Sequence, residues 1–192
     1  MNKIEYMFPK AHAAAYSMMA YWIAYTKLYD PLVHYATYYT SRFKGDKLDI
    51  KALSLGKAGI KKAIAALEAI YADKPGKWDS KDKKSKTGLE IGYELYCRGY
   101  KVDRVSIRNS NATEWKIDRE NKAIIPPFSA VEGCGEKVAL SIVEARNNAP
   151  FISIQDVVNR SLIGKDVKER ILELGGFEDL PVTNQRKLFN FF

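Results

Sequence analysis

Histidine and cysteine are both scarce in this chain, two of each among 192 residues. Cys97 and Cys134 make neither a disulfide framework nor a zinc-ligand set, and two histidines add too little for a metal centre to be expected. The thiols read as reduced, which suits a cytoplasmic protein. No run of about 20 apolar residues exists, so no membrane span is expected. A signal-peptide pattern is also missing: the apolar tract near Ala13 contains Tyr16, Ser17 and Tyr21, and no small-residue cleavage site follows it. Acid is short in the first two-thirds. Residues 1–127 hold 23 Lys+Arg against 14 Asp+Glu, whereas residues 128–192 hold 8 against 9. The net charge of +8 is therefore an upstream property, and it favours a polyanionic partner. A hydrophobic content of 46% over this length allows one or two domains with a real core.

The most informative stretch runs from Ile124 to Arg146 and centres on Gly133-Cys134-Gly135. A Pro-stiffened apolar approach leads in, and Val138, Ala139, Ile142 and Val143 then recur at the spacing of one helix face. Two glycines permit a tight turn, and the helix after it starts with free N–H groups and the positive end of its dipole. That is a site for a phosphate oxygen. The pattern resembles the hairpin of a helix-hairpin-helix DNA-binding motif, with Gly133, Cys134, Gly135 and the small Ala139 in the matching places. Such a hairpin holds the DNA backbone through main-chain amides and positions without reading bases. The candidate DNA-binding residues are Gly133, Cys134, Gly135, Glu136 and Lys137, with Lys137 adding a charge-assisted contact. The plain structural alternative is a Gly-rich helix start in a packed core.

Upstream, Pro9 opens a long Ala-rich helix through Tyr29. Tyr21, Tyr25 and Tyr29 share a face, as do Met18 and Trp22, the pattern of an aromatic core helix. Lys10 and His12 lie in its first turn, where an anion is favoured. Asp30-Pro31 caps a second helix to Phe43, with a stripe of Leu32, Tyr35, Ala36 and Tyr39. Gly45 and Asp46 make a break. A third helix, capped by Asp49, is expected to reach Tyr71 with Leu53, Ile60, Ile64, Leu67 and Ile70 inward, bent at Gly56 or Gly59. Residues 73–87 read as a Lys-rich linker. Thr87, with Glu90 three residues on, is expected to start the next helix, which Gly99 ends.

Period-two alternation over Lys101–Arg108, then Glu114–Asp118 and Lys122–Ile125, predicts a small antiparallel sheet. Ser153 is expected to cap a helix over 154–159, and Lys165–Leu174 forms another, closed by Gly175-Gly176. The helices near 136–146 and 165–174 can pair as one DNA-binding unit. Residues 180–192 are expected to be a tail. The fold class is mainly α with a small antiparallel β element, an α+β arrangement.

Phe8-Pro-Lys-Ala-His-Ala-Ala-Ala-Tyr16 is similar to the fingers segment of the alpha subunit of bacterial DNA polymerase III. Arg108-Asn-Ser-Asn-Ala-Thr-Glu-Trp-Lys-Ile-Asp118, Ile125-Pro-Pro-Phe128, the Gly133–Gly135 hairpin, Phe151-Ile-Ser-Ile154 and Asn184-Gln185…Leu188-Phe189 come in the order of the C-terminal part of the PolC type. The resemblance spans residues 7–189. It implies a helical, fingers-like region over 1–72, a linker over 73–87, a helix and small sheet over 88–127, a helix-hairpin-helix duplex-binding module over 128–179 and a clamp-binding tail over 180–192. It further implies template-directed nucleotidyl transfer by a DNA-directed DNA polymerase in DNA replication. Lys10, His12 and Tyr16 would meet the incoming dNTP, the hairpin would hold primer-template duplex, and Gln185, Leu188 and Phe189 would dock a sliding clamp.

The chain also departs from the family pattern. No palm with metal-binding aspartates, no proofreading exonuclease and no phosphoesterase-like domain is present. The chain is thus expected to bind no cofactor, to leave Mg2+ to the complete polymerase, and to be inactive without the remainder of it. At the tail, Arg186 replaces the usual apolar residue and Asn190-Phe-Phe192 extends past the motif. The alternatives are a stand-alone, non-catalytic helix-hairpin-helix protein that binds DNA and the clamp, and a helix-hairpin-helix protein of repair or recombination.

Overall fold

The computed structural model describes residues 9–43, 48–72 and 78–183. Its elements run in the order α1 (Lys10–Tyr29), α2 (Pro31–Arg42), α3 (Ile50–Ser54), α4 (Gly56–Ile70), α5 (Ser80–Cys97), β1 (Lys101–Val102), β2 (Lys116–Asp118), β3 (Ala123–Ile125), one 3-10 turn (Phe128–Ala130), α6 (Glu136–Asn148), α7 (Ile154–Arg160) and α8 (Lys165–Glu173). The chain is mainly helical with one small sheet, as its composition of helix-spaced apolar residues implies.

Punctuation residues set the first helices. Pro31 stands at the first turn of α2, and the Asp30 side chain accepts from the Val33 N–H. The expected stripe of Leu32, Tyr35, Ala36 and Tyr39 is buried. Tyr39 is the pivot: its hydroxyl donates to the Gly88 carbonyl of α5 at 2.8 Å, and its ring stacks on Trp115 at 4.7 Å. α2 thereby lies between the sheet and the α4–α5 pair. α1 is different. It has the expected bounds, but none of its residues is buried.

The helix expected from Asp49 to Tyr71 is two helices. Asp49 caps α3 through the Ala52 N–H at 2.8 Å, and the chain then turns at Gly56, whose φ of +77° ends one helix and starts the next. Leu53 and Ile60 are buried, Ile64 and Leu67 are half-buried, and Ile70 is exposed.

The Lys-rich linker is shorter than its composition implies. Residues 73–77 lie outside the described residues, but α5 already begins at Ser80, where the Asp79 side chain accepts from the Lys81 N–H. Thr87 is inside the helix, with its hydroxyl donating to the Lys83 carbonyl. Contacts with the end of α4 organise this stretch. Lys86 pairs with Glu68 at 2.7 Å, the Tyr71 and Trp78 rings stack at 4.5 Å, and the Tyr71 hydroxyl donates to Asp82 at 2.6 Å.

The sheet is mixed, in the order β1-β3-β2. β2 is antiparallel to β3, as expected, while β1 is parallel to it. Only Lys101–Val102 of the alternating Lys101–Arg108 stretch pairs. Val105 and Ile107 are buried, but so is Ser106 between them, so burial does not alternate here, and the backbone bonds go elsewhere. The Ile107 N–H donates to the Gly176 carbonyl and the Ser106 N–H to the Ser110 hydroxyl.

A single cluster of buried residues joins the helical half to the hairpin half, from Tyr39 and Leu53 through Ile107 and Ile124 to Ile142, Ile171 and Phe177. Arg146 of α6 strengthens that junction by donating to the Ser110 and Ile107 carbonyls at 2.8 and 3.2 Å. The expected tail starts later than residue 180. The Pro181 and Val182 carbonyls accept from Ile154 and Gln155, covering the first amides of α7.

Candidate nucleic-acid interface

The approach to the hairpin is a ladder of local bonds. After Pro126 and Pro127, the Val131 N–H donates to the Phe128 carbonyl at 3.0 Å and the Cys134 N–H to the Val131 carbonyl at 2.9 Å. Gly133 takes φ +83°, a conformation that strains any side chain, and so reverses the chain. Gly135 then stands at the N-terminus of α6 in extended backbone, φ −66°, ψ 162°, with no side chain capping the helix. The first helical bond runs from Ala139 N–H to the Gly135 carbonyl. The amides before it have no acceptor within the helix and form the positive end of its dipole.

The surroundings keep this turn open. A Cβ built on Gly135 would meet no atom within 4 Å, and one on Gly133 would meet only Val167, at 3.7 Å. Gly133, Gly135, Glu136 and Lys137 are exposed. Cys134 is not. Its side chain is in the core, and burial pushes its thiol up to about 11, so only its main chain can face a ligand. Below the turn, Ala139 and Ile142 are buried and Val138 is half-buried, which seats α6 on the body and fixes the direction of its open end.

A second turn repeats this geometry. Gly164 precedes α8 with φ −81°, ψ 167°, again without a side-chain cap and again with nothing within 4 Å of a built Cβ. Ile163 is buried just before it, as Cys134 is before Gly135. Val167 and Ile171 come at the spacing of Val138 and Ile142. The Ser141 hydroxyl accepts from the Leu162 N–H at 2.9 Å and ties the second turn to α6. Sequence reasoning grouped the two helices but did not single out Gly164. The shared spacing of a buried residue, Gly, and apolar residues three and seven positions on was the available signal.

Charges of both signs surround the first turn. A cleft of about 1230 Å³ opens between α3–α5 and the hairpin, and its wall carries six carboxylates, including Asp49, Asp82 and Glu173, against Lys51, Lys81 and Arg170. Gly133, Cys134 and Gly135 form part of the same lining, so an anion that reaches their amides does so beside these carboxylates. Glu132, in the hairpin loop, is held by an ion pair with Arg170 of α8, and the exposed Glu136 places a second carboxylate in the first turn of α6. Lys137, exposed in the first turn of α6, lies outside that lining.

A family model of the helix-hairpin-helix motif matches residues 99–188. Among curated proteins, the chain is 44% identical over 188 residues to the PolC-type DNA polymerase III of Bacillus cereus, 42% over 190 residues to that of Ureaplasma parvum and 38% over 188 residues to that of Mycoplasmopsis pulmonis. The chain matches a segment of PolC-type DNA polymerase III along nearly its whole length. Each match takes in 96–98% of the chain but only 12–13% of the relative, so the chain spans about one-eighth of their length.

The other candidate residues of the sequence are not brought to the hairpin. Lys10, His12 and Tyr16 are exposed on α1, with the His12 and Tyr16 rings edge to face at 4.4 Å. None of the three lines the hairpin cleft. Gln185, Leu188 and Phe189 lie outside the described residues. Among the described residues no group of three or more His, Cys, Asp or Glu is placed to hold a metal ion, and no helix is long and apolar enough to cross a membrane.

Proposed function

We propose that this chain is the part of a PolC-type replicative DNA polymerase that holds duplex DNA by its backbone, and that it requires the rest of such a polymerase for nucleotidyl transfer. The observation that carries the reading is the open, uncapped turn at Gly133–Gly135, in a chain whose match to these polymerases is nearly end to end. Bare amides at a helix start bind phosphate oxygens whatever the base sequence. Lys137 adds one charge to that grip, and the matching turn at Gly164 offers a second point of attachment along the same strand or its partner.

Three further roles belong to the same reading. Lys10 and His12 favour the phosphates of the incoming nucleotide once the missing polymerase body is in place, and Tyr16 shapes its pocket. Gln185, Leu188 and Phe189 tether the sliding clamp, a peptide mode in which two apolar anchors fill a pocket and an amide fixes orientation. On the same reading Mg2+ is left to the remainder of the polymerase.

The test is a titration of isotope-labelled chain with short duplex DNA at low ionic strength. The amide resonances of residues 133–137 are expected to shift, and affinity to fall steeply with added salt. Resonances of that turn that stay in place while others move would overturn the assignment of the interface.

A further inference from the structure

We infer that α1 is enclosed, rather than merely touched on one side, by the part of a PolC-type polymerase that this chain lacks. The inference rests on the proposed function and adds to it the surface through which the two parts join.

α1 has 20 residues and none is buried. Nine large apolar side chains on it are more than half exposed, among them Tyr21 at 68%, Trp22 at 60% and Leu28 at 66%. At about 200 Å² per large side chain, roughly 1,000 Å² of apolar surface lies open on one helix. That exceeds the few hundred Å² of a typical exposed patch and matches about 800 Å² per partner in an ordinary stable interface. Only Lys10 and Lys27 are charged along the helix.

The distribution of these side chains selects the occupant. At about 100° per residue, Leu28, Tyr21, Tyr25, Met18, Tyr29, Trp22, Met19, Ile23 and Tyr16 spread over roughly 240° of the circumference. Alanines 13, 20 and 24 occupy most of the remaining arc. A helix that is apolar all round belongs in the interior of a larger protein, not on a surface. A second copy of this chain, packed about a two-fold axis, would cover one face and leave the others wet. The polymerase relatives supply a larger body. Their match to this chain necessarily includes α1, and some seven-eighths of each relative lies outside it.

The base of α1 is already fixed. Lys27 pairs with Glu94 of α5 at 2.8 Å, the Arg98 guanidinium donates to the Lys27 carbonyl at 3.5 Å, and Thr26 meets His34 of α2 at 3.3 Å. These contacts set the direction of the helix before any partner arrives, which lowers the entropy lost on docking.

The test compares this chain alone with a chimera in which it replaces the matched segment of the Bacillus cereus polymerase. Trp22→Asp combined with Leu28→Asp is expected to leave the unfolding midpoint of the isolated chain unchanged, because both side chains are exposed there. In the chimera the same pair is expected to lower the midpoint by several degrees and primer extension at least tenfold. Trp22 fluorescence, read with Trp78 and Trp115 changed to Phe, should shift to the blue in the chimera. An unshifted Trp22 and an unaffected midpoint would overturn the inference. So would a concentration-dependent dimer of the isolated chain that the double variant abolishes, or a rise in Trp22 exposure on removing residues 184–192. Duplex binding by the isolated double variant separates the two readings. If it persists while the chimera is indifferent to α1, this inference alone fails. If unmodified chain does not bind duplex, the proposed function fails first.

Discussion

Gly135 and Gly164 leave their turns with nearly the same backbone angles, φ −66°, ψ 162° and φ −81°, ψ 167°, and each starts a helix with no side-chain cap. Neither conformation demands glycine, since any residue adopts extended backbone. Neither position is crowded by protein. Two uncrowded glycines, at two helix starts of the same form, leave room for a group from outside the protein to come close. A phosphate approaching the amides is such a thing.

This separates binding from stability. Gly135→Val should lower stability by no more than about 1 kcal/mol, the cost of a β-branched residue at a helix N-cap, and leave the chain folded. The same change should weaken duplex affinity at least tenfold, because the isopropyl group occupies the path of the phosphate. Gly164→Val should act the same way with a smaller effect if the second turn adds a weaker grip. Equal affinity in titrations of all three proteins at one fixed salt concentration would show that the open space is not used.

Gly133 behaves in the opposite sense. Its φ of +83° strains any residue with a Cβ, while the methyl of Ala would only reach ordinary contact with Val167 at 3.7 Å. Gly133→Ala should therefore cost about 1–2 kcal/mol through the backbone alone. Urea unfolding should show a lower midpoint with an unchanged slope. A neutral result would mean that the turn relaxes to another conformation, and then the amide resonances of 133–136 would move as well.

Much of this was legible from the sequence, and the failures share a cause. Pro9, Asp30 and Pro31 mark helix ends by local chemistry, and the ends of α1 and α2 fall where they indicate. Gly133-Cys134-Gly135 also acts locally, through its own dihedral freedom. The start of α5 was hidden because Glu68 and Tyr71, on another helix, hold the Lys-rich stretch in order. The apolar residues of Lys101–Arg108 are buried, but so is Ser106, and burial does not say that a strand partner exists. The aromatic pattern of α1 said that the helix belongs in a core, and could not say that this chain leaves it uncovered.

Cys134 supplies a chemical probe of how the turn is seated. With its thiol pushed up to about 11 by burial, only about one molecule in a thousand carries the reactive thiolate at pH 8. Cys97 is exposed. Iodoacetamide should modify Cys97 in the folded chain and reach Cys134 only in denaturant, as read by mass spectrometry of the two peptides. Comparable labelling of both thiols without denaturant would place the Cys134 side chain outside the core.

The junction of α1 and α2 should respond to acid. Burial tends to raise the Glu94 pKa, but the Lys27 ammonium and the Arg98 guanidinium outweigh it and hold the carboxyl below its usual value. Asp30 is likewise lowered, first by its hydrogen bond to Arg119. A depressed carboxyl contributes stability that is complete above the unfolded-state value, about 4.3 for glutamate, and is lost as the pH falls through the lower folded value. Both pairs are about one-third or more exposed, so the Lys27–Glu94 contact is worth at most about 1 kcal/mol, and the response should be local. Hydrogen exchange should show the Asp30 amide, which donates to the Thr26 carbonyl, losing protection below about pH 4 while the Ile142 and Ile171 amides keep theirs. Glu94→Gln should produce the same loss already at pH 7, and protection of Asp30 that ignores both changes would mean that these ion pairs do not fix the base of α1.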